Sequence, residues 1–189
     1  RQVSRLGVVG SSEITAETIE KSFKRFLSLL EKHFLLFPFL LGKRPASADF
    51  AMFGQLSQLV GFDPTSRKIA HEISPRTVAW VSLMEDLSGL EVSDEDWISD
   101  EIPESLSNIF KEIGKVYAPA LLANKEAALK DEKTWKATID DSEWTQQTFP
   151  YQVKCLNWIN EEFEKLDNDA KDRVNSFLKK NNCEKLLQK

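Results

Sequence analysis

Phe37-Pro38-Phe39-Leu40-Leu41-Gly42-Lys43-Arg44-Pro45-Ala46-Ser47-Ala48-Asp49-Phe50-Ala51-Met52-Phe53-Gly54-Gln55-Leu56-Ser57-Gln58-Leu59 governs how this 189-residue chain reads. An apolar entry gives way to a turn bounded by Gly42 and Pro45. Small residues follow, with an acid among them, and then a run that is almost wholly apolar. Pro45 fixes the backbone just ahead of the run. Asp49 sets a carboxylate in the first turn, where unpaired amide donors and the positive helix end favour it. Phe50, Phe53, Leu56, Leu59 and Val60 recur at helical spacing, and Ala51, Gly54 and Ser57 leave room for a second helix to approach. Gly61 ends the run. The pattern predicts a core helix covered on both sides.

Downstream, Ser74-Pro75 supplies a cap and a first-position proline in the expected order. Val78, Val81, Met84 and Leu87 line the inner face of the helix that follows, with Trp80 close beside it. Together, Phe39, Gly42, Pro45, Asp49, the Phe50–Leu59 helix and the text from Ser74 to Trp80 resemble the C-terminal helical domain of the cytosolic glutathione S-transferases. That family's pattern is an apolar-Gly-x-x-Pro turn, then Ser/Thr-x-x-Asp, then a buried helix. This chain departs at Ala46, where the family has the hydroxyl that completes a reciprocal cap. Asp49 then caps alone, or Ser47 begins the helix one residue later. A lost cap hydroxyl costs roughly 1 kcal/mol.

The resemblance implies an all-α bundle forming one domain over 1–189. Residues 13–88 are its family-like core, and 89–189 are an extension of the kind some bacterial-type members carry. In the family, glutathione and the residue that activates its thiol belong to a preceding thioredoxin-like domain, which this sequence does not contain. The helical part supplies a scaffold and an apolar wall for the electrophilic second substrate. No catalytic or cofactor-binding residue carries over, and glutathione enters as co-substrate. Trp144 and Tyr151, aromatic residues near the start of a late helix, are the expected contacts to the substrate cleft. A homodimer is common in the family, but the long helix that contributes to it is represented at most by Arg1–Val9, which leaves the oligomeric state open. Helical domains similar to these also occur in translation-elongation and synthetase-complex subunits, so a non-catalytic interaction module is the alternative. A stand-alone ligand-binding domain is a third.

Composition sets the outer bounds. Hydrophobic residues at 41% and charged residues at 29% are ordinary for a globular chain, and 5 Trp with 12 Phe predict an aromatic-rich core. A net charge of −5 argues against nucleic acid, whose phosphates need clustered cations. The basic tail (Lys171, Arg173, Lys179, Lys180, Lys185, Lys189) reads as a solvated helix face. Cys155 and Cys183 are too far apart for a redox or zinc pair, which fits reduced thiols in the cytoplasm. No signal peptide or membrane span is visible, and Arg1 in place of Met suggests a chain trimmed at its start.

Arg1 to Ser12 reads as a loop. Thr15 is placed to cap a helix bearing Ile19, Phe23, Phe26, Leu27, Leu30 and Phe34 at steps of three and four. Between Thr77 and Phe110 acids accumulate without Lys or Arg. Glu85, Asp86, Glu91, Asp94, Glu95, Asp96, Asp100, Glu101 and Glu104 lack calcium-loop spacing, so they read as a solvated loop that Trp97 and Ile98 pin to the body. Pro103 starts a helix that Pro119 should end or kink. Thr134–Ile139, then Asp140-Asp141-Ser142, then Glu143–Phe149 read as two short polar strands, a small hairpin. Pro150 opens a helix with Val153, Leu156, Ile159, Phe163 and Leu166 inward, and Asn168 or Asp169 caps the last.

No zinc-protease helix, phosphate loop, nucleophile elbow or paired-cysteine box occurs, and no metal ligand set is assigned. His33, at a helix end, and His71, beside a turn, read as surface residues. Cys155 reads as packing, because no basic group stands near to lower its pKa.

Overall fold

The computed structural model describes residues 3–99 and 101–187, so Arg1, Asp100 and Lys189 of the segments above lie outside the described residues. The chain is mostly helical with one small antiparallel sheet. After a 3₁₀ segment at Val3–Val9 come α1 (Ala16–His33), α2 (Ser47–Gly61), α3 (Pro64–Ile73), α4 (Pro75–Glu85) and α5 (Glu104–Glu112). A π turn (Ile113–Tyr117) leads into α6 (Ala118–Leu129), β1 (Thr134–Ile139), β2 (Ser142–Gln147), α7 (Pro150–Glu164) and α8 (Asn168–Lys180). No helix among the described residues is long and apolar enough to cross a membrane.

Two compact units emerge, one of residues 23–109 and one of 1–22 with 110–189. The boundaries between them fall inside α1 and α5.

In the 23–109 unit, Asp49 is the tie. Fully buried, its carboxylate accepts from Ala46 N at 2.8 Å and from Leu40 N at 2.9 Å, joining the turn to the first turn of α2. Burial holds its carboxyl above the ordinary range, opposed by those amides and by His33. Of the two caps open on sequence, Asp49 alone does the work: Ala46 is the N-cap and carries no acceptor, and Ser47 is an exposed first helical residue. Gly42 is required twice. Its φ is +136°, and a Cβ there would lie 2.1 Å from the Asp96 carbonyl oxygen. That close approach lets Lys43 N donate to Asp96 O at 2.7 Å and Ile98 N to Leu41 O at 2.8 Å, while the Arg44 guanidinium lies over the Trp97 ring. The acidic loop is therefore pinned at Trp97 and Ile98, where the sequence placed the attachment.

Three expectations are corrected here. The first concerns α2, which is not covered on both sides. Asp49, Leu56 and Val60 face inward, whereas Phe50 is 53% and Leu59 37% exposed. The open centre carries Ser47, Ala51, Gly54 and Gln58, and a Cβ on Gly54 would meet nothing within 4 Å, so among the described residues no neighbouring helix packs on Gly54. Phe50 and Leu59 sit at opposite edges of that open face, which makes the run look apolar all round when read as text. The second concerns His33, which is buried rather than superficial, with its Nδ1 2.9 Å from Ser105 Oγ and its Nε2 3.3 Å from the Phe39 carbonyl. A carbonyl only accepts, so Nε2 carries the proton and Nδ1 accepts from Ser105. Burial holds this imidazole below its usual range. His71 is exposed on α3, as read. The third concerns α7, which buries Leu156 but leaves Ile159 52% exposed.

Trp80 is more central than its position beside the α4 face suggested. It is 3% exposed and stacks on Phe34 at 5.1 Å. Ser74 caps α4 by accepting from Thr77 N and donates to Glu31 Oε2 at 3.1 Å. Glu31 also receives the Arg76 amide at 2.9 Å and pairs with its guanidinium. Burial pushes the Glu31 carboxyl up, but the Arg76 and Ser74 bonds outweigh it and hold it below the ordinary range.

Candidate functional site: an uncharged cavity beneath the hairpin

The site lies wholly in the unit of residues 1–22 and 110–189. Its floor is the hairpin. Asp140 and Asp141 have φ of 49° and 66°, the paired left-handed conformation of a two-residue type I′ turn, which aspartate tolerates better than most residues. Side chains alternate along each strand, so Trp135, Ala137 and Ile139 share one face with their cross-strand partners Gln146, Trp144 and Ser142. That face packs on α6, where Ala120, Ala123 and Ala127 are small enough for the indoles to come close. Trp135 is 4% and Ile139 2% exposed.

The wall opposite comes from a helical irregularity. Pro119 has no N–H to give to the carbonyl four residues back, and the chain neither ends nor loses the helix there. A π turn precedes it, in which Ala118 N reaches Ile113 O five residues back, and helix resumes at once. Val116 and Tyr117, both within this turn, line the cavity.

Val116, Tyr117, Ala120, Leu121, Trp135, Ile139, Trp144, Gln146 and Gln152 line a half-open cavity of about 230 Å³, and none of them carries a charge. Trp144 is fixed from two directions. Its indole N–H donates to Gln146 Oε1 at 3.1 Å. Behind it lies Gly10, with φ of +78°, so close that a Cβ there would fall 2.1 Å from the indole nitrogen. The Thr15 hydroxyl donates to Gly10 O at 2.8 Å instead of capping α1, and Thr18 and Ser142 join their hydroxyls, so the early segment is fastened to β2. At the other end, buried Asn124 gives its amide nitrogen to Phe149 O at 3.0 Å and accepts from Phe149 N at 2.7 Å, seating the start of α7 against α6.

An indole nitrogen can only donate, so Gln146 must turn its oxygen to Trp144. Its amide nitrogen is left as a donor with no partner among the described residues. Trp135 Nε1, fully enclosed, also has no partner among them. Burial, with a smaller push from Cys155, holds the Tyr117 hydroxyl above its usual range, so it remains protonated at neutral pH.

Of the aromatic pair singled out in the sequence, Trp144 lines this cavity and Tyr151 does not. Tyr151 is 66% exposed and meets Trp158 edge-on at 6.1 Å. Its neighbour Gln152 takes the place expected of it. Cys155 is half-buried on α7, while Cys183 is buried, its thiol raised by burial and by nearby Glu184. Tyr117, Gln146 and Gly10 went unread as site residues. The period-two register that carries Trp144 also carries Gln146, so that signal was present in the text.

Comparison with protein-family models, characterised proteins and solved structures finds no match for this chain.

Proposed function

We propose that this chain is the helical part of a glutathione S-transferase-like protein and that it supplies a scaffold and an apolar wall for a small electrophilic second substrate. Glutathione and the activation of its thiol are assigned to a separate thioredoxin-like domain. The observation that carries the reading is the uncharged cavity walled by Trp135, Trp144 and Tyr117, concave and mostly apolar with a few polar groups, as small-molecule sites are. The Asp49 cap and the Gly42 turn support the kinship, because they join the residues on which the resemblance rests. The cavity lies beyond residue 88, which gives the extension a role of its own.

Equilibrium dialysis against a chlorodinitrobenzene, paired with passage over immobilised glutathione, tests this. The chain should retain the electrophile and pass through the resin. Loss of the electrophile to the dialysate, or retention on glutathione, contradicts the proposal. A non-catalytic interaction module is the second reading, favoured by Phe50, Phe62 and Leu83, which residues 23–109 leave open. Under it the cavity binds no electrophile.

A further inference from the structure

The inference drawn here rests on reading the cavity as a binding wall and narrows what it holds. With no charged side chain among its lining residues, an ionised ligand would shed its hydration and find no counter-ion. The volume of about 230 Å³ exceeds the roughly 150 Å³ of an apolar cavity that takes up benzene, which leaves room for a second ring. The indoles of Trp135 and Trp144 in the lining favour an aromatic occupant.

Gln146 adds direction. Its oxygen is committed to Trp144, so the nitrogen offers donors only. Gln146 is part-exposed and water can satisfy that nitrogen in the free protein, but a ligand filling the cavity displaces the water. A ring without an acceptor then strands the donor, whereas a ligand oxygen replaces the lost bond. We propose that the cavity takes a neutral planar ring compound bearing a ketone or nitro oxygen, and that the Gln146 amide nitrogen donates to that oxygen.

Calorimetric titration of the whole chain with indane, indanone and an indane carboxylate tests this. Both neutral compounds should bind, indanone about three- to tenfold more tightly, and the carboxylate should not. The Gln146→Glu variant, titrated at a pH where its carboxyl is ionised, still accepts from Trp144 but cannot donate, and should abolish the preference for the ketone. The Gln146 side-chain amide protons in the wild-type spectrum should move downfield with indanone and not with indane, which needs no variant. If neither neutral compound binds, the binding-wall reading itself fails. Equal affinity for indane and indanone overturns the donor role alone, and tight carboxylate binding overturns the neutral-ligand rule.

Discussion

At Asp49 a single carboxylate satisfies two part-buried backbone amides that would otherwise lose their protein partner. Asp49→Ala should therefore cost about 2–4 kcal/mol, more than an ordinary cap, because both orphaned donors count. A urea titration showing less than about 1 kcal/mol would mean water replaces the carboxylate. That acid was legible from its place three residues after Ala46. Its second bond, back to Leu40, was not, because a chain reversal brings those residues together. His33 makes the same point. A histidine in the last turn reads as a dipole-facing surface group, and only the return of Phe39 and of Ser105 encloses it. Its native pKa is depressed, so the native state binds fewer protons than the unfolded state once pH falls to its ordinary value of 6.5. Stability should thus be fully present above 6.5 and decline as pH drops through it. Asp49, whose pKa is raised, works in the opposite sense in the acid range just above its ordinary 3.8. Unfolding midpoints from neutral pH down to about 5.5 should fall in the wild type and be flatter in His33→Gln.

Among the elements, α2 departs most from its sequence reading. Helical spacing located it to within a residue or two, yet the arc of neighbours around it could not be read from its own residues. Gly54 decides between the covered and open versions. On an open mid-helix position Gly54→Ala should stabilise by about 0.5–1 kcal/mol, and a loss would show that something packs there. Gly114, by contrast, lies in the π turn where a Cβ would meet Asn181 O at 2.5 Å and Asn182 O at 2.9 Å, both backbone atoms. Gly114→Ala should cost about 1–3 kcal/mol, read by thermal unfolding. The hairpin was legible because alternation and a polar pair at the turn agree. Within it Asp140 is held by Lys115 at 2.6 Å, which leaves Asp141 the position to change. Asp141→Gly should raise stability by about 0.5 kcal/mol, since glycine enters the left-handed region without a Cβ clash. Pro119 was read as an end or a kink, whereas a π turn precedes it and helix resumes through it, which nothing in the text foretold.

For the molecule as a whole, the helical class and the hairpin followed from periodicity and turn chemistry. The cavity did not, because its lining is gathered from the π turn, α6, both strands and α7, and each contributor reads locally as packing or as a solvent-facing amide. Trp144 was visible and Gln146 was not, although one register carries both. The proposed function puts a small apolar electrophile in this cavity. Five tryptophans report on it: Trp135 and Trp144 line the cavity, and Trp80, Trp97 and Trp158 do not. A proton–nitrogen correlation spectrum of the indole N–H groups, recorded while a chlorodinitrobenzene is titrated in, should show saturable shifts at Trp135 and Trp144 with the other three unmoved. Shifts centred on Trp80, Trp97 or Trp158, or no saturable shift at all, would contradict it.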